Sequence, residues 1–261
     1  MPGAPGALAW FRDRAFDFMT PEPTAAPQTG QVAVNERSVE VPWALGHLGD
    51  ARRILDVGCA TSAYLEDLGR DRRRAVYGLD PGEPRTVTGA LVVRGTVVAP
   101  PFRQGSFDLI LCISTVEHIG LPIYGQHEFP HGDVLAMRHM RRLLRPGGRL
   151  LLTVPFGRRQ RNPWFRVYDP RRLRVLAVGF RKCSEGYFRL VPEEKGRYEA
   201  CRPRALWRAA YDFDHMRAEG VACLELTPAA GLGFVVARVA SRLLFAFERL
   251  TGKERPFLRR P

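Results

Sequence analysis

The chain has 261 residues, 45% of them hydrophobic, which is enough for one sizeable core and marginal for two. No run of about 18 apolar residues lacks charge, and no basic stretch precedes a long apolar run near the start, so we expect neither a transmembrane helix nor a signal peptide. Five scattered cysteines without a CxxC pair favour free thiols over a disulfide framework or a zinc site, which predicts a cytoplasmic protein.

The formal net charge of +13 suggests nucleic acid as a partner. The basic residues are nearly all arginine and lie along the whole chain, a skew that is typical of genomic base composition. The densest basic stretch, 158–174, interleaves aromatic residues and is open to three interpretations: a phosphate-binding surface, a solvated face or a loop beside the substrate. We therefore favour no nucleic-acid partner.

The first 49 residues predict an N-terminal helical segment and linker. Residues 7–19 have the pattern of a short amphipathic helix, and the Pro-, Thr- and Ala-rich stretch after them predicts a flexible linker. A second helix is expected in "NERSVEVPWALGHL", although Pro42 should break or kink it. We predict further units at 50–228, the main domain, and at 229–261, a C-terminal amphipathic helix with a basic tail.

From residue 52 onward, apolar runs alternate with helical stretches. Helices are expected at 61–69, 131–144 and 169–178, and the last opens with Asp169 as a cap and Pro170 in its first turn. Strands are expected at "RILDV", "AVYGLD", "ALVVRGTVV", "FDLILCIS", "RLLLTVPF" and "VACLEL". Near-continuous apolar strands that alternate with helices predict an α/β fold, a mainly parallel sheet with helices on both faces.

The small-residue turn "DVGCATS" ends the first of these strands, where ligands of such sheets bind. It lets the main chain approach a ligand closely, and Asp56 is a carboxylate at the strand tip. The next strand ends in Asp80, where an acid can bind two ribose hydroxyls. The turn and Asp80 together indicate a cofactor that contains a nucleoside. The plain alternative is that Asp56 is only a turn carboxylate and Asp80 only a helix cap.

The segments "ILDVGC", "GLD", "PPFRQGSFDLILCISTVEHIG" and "MRHMRRLLRPGGRLLLTVPFG" follow one another in the order found in a known family. Over about residues 50–157 the chain resembles the class I S-adenosylmethionine-dependent methyltransferases, which implies their Rossmann-like fold. Within that family it is most similar to an uncharacterised bacterial subgroup with "STVEHIGLPIYG", and "NERSVEVPWAL" and "RVYDPRRL" share this likeness.

The resemblance implies a set of residues that bind S-adenosylmethionine. Ala60 and Ser62 replace two glycines of the usual turn, which is tolerable where the local φ is negative, and Ser62 can cap the following helix. By this resemblance, the methionine end of the cofactor contacts Asp56, Gly58, Cys59 and Ala60, and the ribose contacts Asp80. The adenine contacts Thr96 and Val97, and the sulfonium end lies near Ser114.

His118 and Glu117 follow Ser114 and are the candidate catalytic residues. A hydroxyl acceptor must lose a proton, and a histidine titrates near neutral pH, so His118 is the candidate base. The alternative is that His118 packs against adenosine or caps a helix, while Glu117 orients a neighbour or meets the acceptor.

Three residues are candidates for contact with the acceptor. Tyr124 and His127 lie in "YGQHEFPHGD", which is typical of a loop over the acceptor pocket. Arg37 precedes the first strand and has surface charge as its plain alternative. We expect no metal site, because Pro130 argues against a helix that would bring His127 and His131 together.

The C-terminal segment 233–250 is strongly apolar with a narrow stripe of arginines if helical. It is open to three interpretations: packing on the sheet or on a homodimer partner, peripheral contact with a membrane surface, and gating of the substrate. For the whole chain we expect methylation of a small molecule, at an oxygen of a sugar, a glycan or a secondary metabolite. The alternatives are an RNA methyltransferase and a non-catalytic protein with the methyltransferase fold.

Overall fold

An eight-stranded sheet organises the fold. The computed structural model describes residues 35–122, 128–129, 131–191, 197–212 and 217–229. Four parts of the chain that carry predictions lie outside the described residues. They are the predicted helix at 7–19, the linker after it, the loop residues Tyr124 and His127, and the segment 233–250. The expectations placed on them, and the division into three units, therefore stay predictions.

Five strands pair in parallel, in the order β3-β2-β1-β4-β5. Crossovers between parallel strands need intervening segments, and the apolar runs with helices between them meet that requirement. Their bounds are β1 Arg53–Val57, β2 Ala75–Asp80, β3 Ala90–Arg94, β4 Phe107–Ile113 and β5 Leu144–Pro155.

The far side of the sheet is antiparallel. β12 (Gly220–Pro228) inserts between β5 and β8 (Phe180–Val191), and β9 (Arg197–Ala200) pairs with β8 at the edge. Two short hairpins lie outside this sheet. They pair β6 (Gln160–Arg161) with β7 (Arg166–Val167), and β10 (Tyr211–Asp212) with β11 (Arg217–Ala218).

Helices cover both faces of the sheet, as predicted. Successive strand residues point to opposite faces, so Ile54 of β1 joins one core and Leu55 joins the other. Helices α1 (Arg37–Gly46) and α2 (Tyr64–Arg70) pack on the face of Ile54. Helices α3 (Gly132–Leu143) and α4 (Pro170–Leu176) pack on the face of Leu55.

Two predicted local features, the cap at Asp169 and the break at Pro42, have different outcomes. The cap at Asp169 is confirmed, since its Oδ1 accepts a hydrogen bond from the backbone N–H of Arg172 at 2.7 Å. The break at Pro42 is wrong, because α1 runs through it. Pro42 and Ser38 are exposed, so water can satisfy the Ser38 carbonyl that the proline leaves without its helical donor.

No helix in the described part of the chain is long and apolar enough to cross a membrane. The carboxyl ends of β1, β2 and β4 meet at one edge of the sheet because the three strands are parallel. This edge brings together the turn after β1, the tip of β2 and the segment after β4, which carry most of the predicted site residues.

Candidate functional site

The turn after β1 needs a glycine at position 58. Gly58 has a φ of +81°, in the left-handed region that residues with a Cβ rarely adopt. A Cβ on Gly58 would also lie 2.4 Å from Oγ1 and Cγ2 of Thr115. The backbone N–H of Gly58 donates to the Leu79 carbonyl at 2.9 Å, which ties the turn to β2. The turn therefore keeps bare main chain at this edge of the sheet.

The two substituted glycine positions of the turn are compatible with side chains. Ala60 lies in a short 3₁₀ turn, Cys59–Thr61, and Ser62 has a φ of −76°. The expectation that these substitutions are tolerable is confirmed in geometry. The expected cap by Ser62 is wrong, because its hydroxyl donates to the Tyr64 hydroxyl at 3.2 Å and makes no cap on α2.

Asp56 is a buried acid, and only one of its two side-chain oxygens has a hydrogen-bond partner among the described residues. Its Oδ1 accepts a hydrogen bond from the Tyr64 hydroxyl at 3.0 Å. Its Oδ2 is buried and has no hydrogen-bond partner among the described residues. Burial raises the pKa of Asp56 to about 6, while the nearby hydroxyl groups of Ser62 and Tyr64 act in the opposite direction. Such an oxygen is suited to receive a ligand donor.

Asp80 stands at the tip of β2 and holds the turn from the other side. Its Oδ2 accepts from the backbone N–H of Ala60 at 3.1 Å, and its Oδ1 accepts from the N–H of Gly82 at 2.8 Å. The carboxylate is only partly buried. Each oxygen of an ionised carboxylate accepts more than one hydrogen bond, so Asp80 can still receive ligand hydroxyls.

Cys59 turns its side chain away from this edge. The thiol is fully buried, and a Cβ on Gly78 would lie 2.6 Å from its sulfur. Burial raises the pKa of Cys59 to about 12, so it stays a thiol at neutral pH. Only the main chain of Cys59 can meet a ligand here.

The predicted adenine contacts lie just beyond β3. Thr96 is half-buried, and its hydroxyl oxygen accepts from the backbone N–H of Val98 at 3.4 Å. Val97 is buried in the core on the side of Leu55. The N–H of Gly95 donates to the Asp80 carbonyl at 2.8 Å, so Thr96 follows directly after a residue that is bonded to the tip of β2.

Ser114 links the end of β4 to α1. Its φ is +39°, and its N–H donates to the Thr153 hydroxyl oxygen at 3.0 Å. Its own hydroxyl donates to Oε1 of Glu40 at 2.6 Å, and both side chains are buried. The other oxygen of Glu40, Oε2, has no hydrogen-bond partner in the described part of the chain. α1 thus places a buried carboxylate directly behind Ser114.

Arg37 also reaches the end of β4 from α1. Its guanidinium donates to the Ile113 carbonyl at 2.7 Å and to the Ser114 carbonyl at 3.4 Å, and lies 3.9 Å from Oε2 of Glu40. Although burial acts in the opposite direction, Glu40 and Glu117 raise the pKa of Arg37 above its usual value. Arg37 is therefore an integral part of the strand end, and its side chain is not a freely solvated surface charge.

Glu117 lies in a short 3₁₀ turn, Val116–His118, and is almost fully buried. Its Oε2 has no hydrogen-bond partner among the residues described. Burial and then the charge of Glu40 raise the pKa of Glu117 well above its ordinary value, against the smaller effect of Arg37. The side chain is therefore held in its protonated form to higher pH than a solvated glutamate.

The same turn presents His118 in one defined tautomer. Nδ1 lies 2.6 Å from the backbone carbonyl oxygen of Trp164, and a carbonyl only accepts, so Nδ1 carries the proton. Nε2 lies 3.9 Å from Oε1 of Glu117, and about a quarter of the side chain is exposed. Burial and the nearby Arg37 and Arg166 lower the pKa of His118 to about 4, although the Trp164 bond raises it.

These residues suit the expected cofactor in three ways. Gly58 carries no side chain, so the main chain of the turn stays open to a ligand, while the direction in which a Cβ would point is filled by Thr115. The unpartnered Oδ2 of buried Asp56 can accept from an ammonium group. The partly exposed Asp80 can accept from ribose hydroxyls. No group of three or more His, Cys, Asp or Glu side chains in the described ranges could hold a metal ion.

Two grooves, of about 320 and 430 Å³, lie at the opposite edge of the sheet. The first is lined by Arg52, Arg73 and Arg74 with Asp50 and Asp71. The second is lined by Arg53, Arg103 and Arg145 with Asp108. Neither groove includes a predicted site residue.

Sequence reasoning missed several residues that build this edge, and Glu40 had the clearest signal. On α1, Glu40 lies four positions before the buried Ala44, so a charge stands on the face that packs against the sheet. The other missed residues are Asp133, Thr153, Trp164 and Arg166, and their contacts with the site join segments far apart in sequence.

Comparisons with known proteins agree with this geometry. A model of the methyltransferase-domain family matches residues 33–179, more than half of the chain. A protein of Encephalitozoon cuniculi (strain GB-M1) that is named a methyltransferase is 30% identical over 118 residues, which cover 41% of this chain and 52% of that protein. The chain thus spans about half the length of the curated relative that it matches.

Solved structures show the fold alone, since their identities are low. The [4+2]-cyclase SpnF is 17% identical with a TM-score of 0.52, and the match covers 88% of this chain and 99% of that one. The PH0226 protein of Pyrococcus horikoshii OT3 is 15% identical with a TM-score of 0.50, covering 74% and 89%. By its sequence match, the chain belongs to the methyltransferase-domain family.

Proposed function

We propose that this member of the methyltransferase-domain family uses S-adenosylmethionine as its cofactor and methylates a hydroxyl oxygen of a small molecule: a sugar, a glycan or a secondary metabolite. The observation that carries the proposal is the state of His118. Its Nδ1–H is bonded to the Trp164 carbonyl, which leaves the lone pair of Nε2 as the basic site. Because its pKa is lowered to about 4, the ring is neutral at physiological pH, and Nε2 is a weaker base than a solvated imidazole, so proton uptake depends on its placement beside the acceptor.

A hydroxyl acceptor has a specific need that this arrangement meets. An alcohol is a weak nucleophile until its proton is removed, and the oxygen must lose that proton as the new bond forms. S-adenosylmethionine supplies an electrophilic methyl group when bound. The chain itself then has to orient the acceptor, exclude water and take up one proton.

In this proposal, Nε2 of His118 takes up the hydroxyl proton while Nδ1–H keeps its bond to Trp164. The resulting imidazolium has Oε1 of Glu117 3.9 Å from Nε2. Oε1 is a hydrogen-bond acceptor with a negative partial charge, so at that distance it stabilises the positive ring without a further proton transfer. Arg37 holds the end of β4 in place, and Tyr124 and His127 remain predicted acceptor contacts.

A labelling experiment tests this function. The protein is incubated with trideuteromethyl-labelled S-adenosylmethionine and pools of hydroxylated small molecules, sugar nucleotides and phenols among them. Mass spectrometry then identifies products that carry the label, and their fragmentation assigns the methylated atom. We expect labelled methyl ethers from the wild-type protein, and a rate that is about 10²–10⁴-fold lower with His118→Asn.

The matched control is His139→Gln, which changes a half-buried histidine on α3 and should leave the rate unchanged. Label found only on nitrogen would contradict an oxygen acceptor. A His118→Asn variant as fast as the wild-type protein would remove His118 from the chemistry.

RNA methylation is the second candidate, and the net charge of +13 favours it. Against it, the arginine-lined grooves described above lie at the edge of the sheet opposite to the candidate site. A filter-binding assay with tRNA at physiological salt separates the two, because tight and salt-sensitive binding would support RNA. Calorimetry with S-adenosylhomocysteine tests the non-catalytic alternative, which predicts no heat of binding.

A further inference from the structure

The hairpin of β6 and β7 contacts the turn that carries His118. Its loop is closed by Asn162, whose side-chain oxygen accepts from the N–H groups of Trp164 and Phe165 at 2.7 and 2.8 Å. This loop geometry aims the Trp164 carbonyl at Nδ1 of His118. One end of the hairpin therefore sets which nitrogen of the ring carries the proton.

Arg166, two residues later, binds the main chain of the same turn. Its Nη1 donates to the Glu117 carbonyl at 3.0 Å and to the Ile119 carbonyl at 2.8 Å, which belong to the residues before and after His118. Arg166 is buried, with 6% of its surface exposed. A buried guanidinium that holds two backbone carbonyls fixes the position from which the imidazole projects.

A buried carboxylate anchors Arg166 in turn. Oδ2 of Asp133, at the start of α3, lies 3.9 Å from Nε of Arg166. Asp133 is fully buried and also accepts from Arg172 at 2.9 and 3.0 Å and from the Tyr168 hydroxyl at 3.1 Å. Although burial acts against it, the two arginines hold the pKa of Asp133 below its usual range.

We propose that Arg166 is a positioning residue for the reaction: it clamps the main chain on both sides of His118 and thereby holds Nε2 where the acceptor proton is taken up, with Asp133 as its anchor. This inference rests on the proposed role of His118 as the base. The hairpin acts as one unit, in which the Trp164 carbonyl sets the tautomer and Arg166 sets the placement. Removal of either contact should therefore change the tautomer or the placement of the ring, although the residue is still a histidine.

The test replaces Arg166 with lysine, which keeps the charge beside Asp133. Nη1 of Arg166 serves both carbonyls while Nε faces the carboxylate, and the ammonium of lysine has only one nitrogen for all three. Nitrogen-edited NMR of the histidine rings is measured across pH with the full chain. We expect Arg166→Lys to move the pKa of His118 away from its wild-type value and to lower the fraction of the ring that is protonated at Nδ1.

Arg172→Lys is the matched control. Arg172 binds the same Asp133 from α4, through two hydrogen bonds from Nη2 to that carboxylate. We expect this variant to lose stability while the signals of His118 keep their wild-type pKa and tautomer. Where turnover is measurable, Arg166→Lys should lower kcat by about 10²-fold with KM for the cofactor unchanged.

Unchanged ring signals in Arg166→Lys would overturn the inference, and so would an equal change in Arg172→Lys. Should Arg166→Lys fail to fold, Asn162→Ala tests the same unit, since it loosens the loop that aims the Trp164 carbonyl and should lower the Nδ1-protonated fraction. The NMR readout needs no acceptor. A His118→Asn variant with full activity would sink the proposed function and leave the clamp to be decided by the ring signals alone.

Discussion

The ring of His118 and the backbone of Trp164 are joined at 2.6 Å across 46 residues of sequence. Burial of the ring and the positive charges of Arg37 and Arg166 oppose its protonation. A histidine in this setting is a neutral base whose tautomer is fixed before any acceptor binds. Its titration is therefore the most direct measure of the site.

We expect His118 to titrate near pH 4 rather than near 6.5. Because the unfolded chain takes up this proton at higher pH than the folded chain, the contribution of His118 to the free energy of unfolding is full above pH 6.5 and is lost as the pH falls through about 4. NMR titration of the ring signal that is missing in His118→Asn gives the midpoint. A midpoint close to 6.5 would contradict the burial that the structure gives this ring.

Glu117→Gln should stabilise the protein at alkaline pH. The raised pKa of Glu117 means that its contribution to the free energy of unfolding is full below the ordinary value of 4.5 and is lost as the pH rises towards the folded-state pKa. The amide removes this loss, and we expect a gain of about 1–3 kcal/mol in urea unfolding at pH 8. Glu66→Gln on α2, whose side chain is about half exposed, is the control and should change little. A destabilised Glu117→Gln at pH 8 would count against a buried, unpaired acid.

Comparison of Gly58→Ala with Gly105→Ala separates the cost of backbone strain from damage to the turn at the candidate cofactor site. Both glycines have positive φ, +81° and +69°, and both variants should lose about 1–2 kcal/mol of stability from backbone strain, to which Gly58→Ala adds the cost of its contact with Thr115. A Cβ meets nothing within 4 Å at Gly105, whereas at Gly58 it meets Thr115. Calorimetry with S-adenosylhomocysteine should show at least about a tenfold loss of affinity for Gly58→Ala alone. Equal affinities in the two variants would remove the turn from the cofactor site.

Asp80→Asn should weaken cofactor binding by about 10–100-fold, because hydrogen bonds to a charged acceptor are stronger than those to an amide. The same calorimetric titration measures the effect. Glu83→Gln is the matched control, since Glu83 lies in the same loop, is exposed and pairs with Arg94. A loss of affinity in Glu83→Gln as large as that in Asp80→Asn would indicate a general effect of charge rather than contact with the ribose.

The strands that could be predicted are those that are buried on both faces. β1, β4 and β5 read as apolar runs because a helix layer covers each side of them. β8 and β9 were missed for the opposite reason. Most residues of β8 are exposed or half-buried, and its sequence "FRKCSEGYFRLV" alternates charged and apolar residues too irregularly to indicate a strand.

The candidate site could be predicted where its chemistry is local to one segment. Asp56, Gly58 and Asp80 sit at strand tips, and His118 follows β4 directly, so their neighbourhood follows from the parallel sheet. The partners that decide the state of His118 come from elsewhere. Trp164 and Arg166 reach it from a hairpin 46 and 48 positions later, and no periodicity of the sequence encodes such a contact.

The placement of β12 has a consequence for how the chain acquires its structure. This strand is the last of the sheet in sequence, yet it lies inside the sheet, paired on one side with β5 and on the other with β8. A nascent chain that has not reached Gly220 leaves both of those strands with open hydrogen-bonding edges, which are templates for pairing with other chains. Closure of the sheet must therefore await nearly complete synthesis of the described chain, and truncated products should be prone to aggregate on the ribosome.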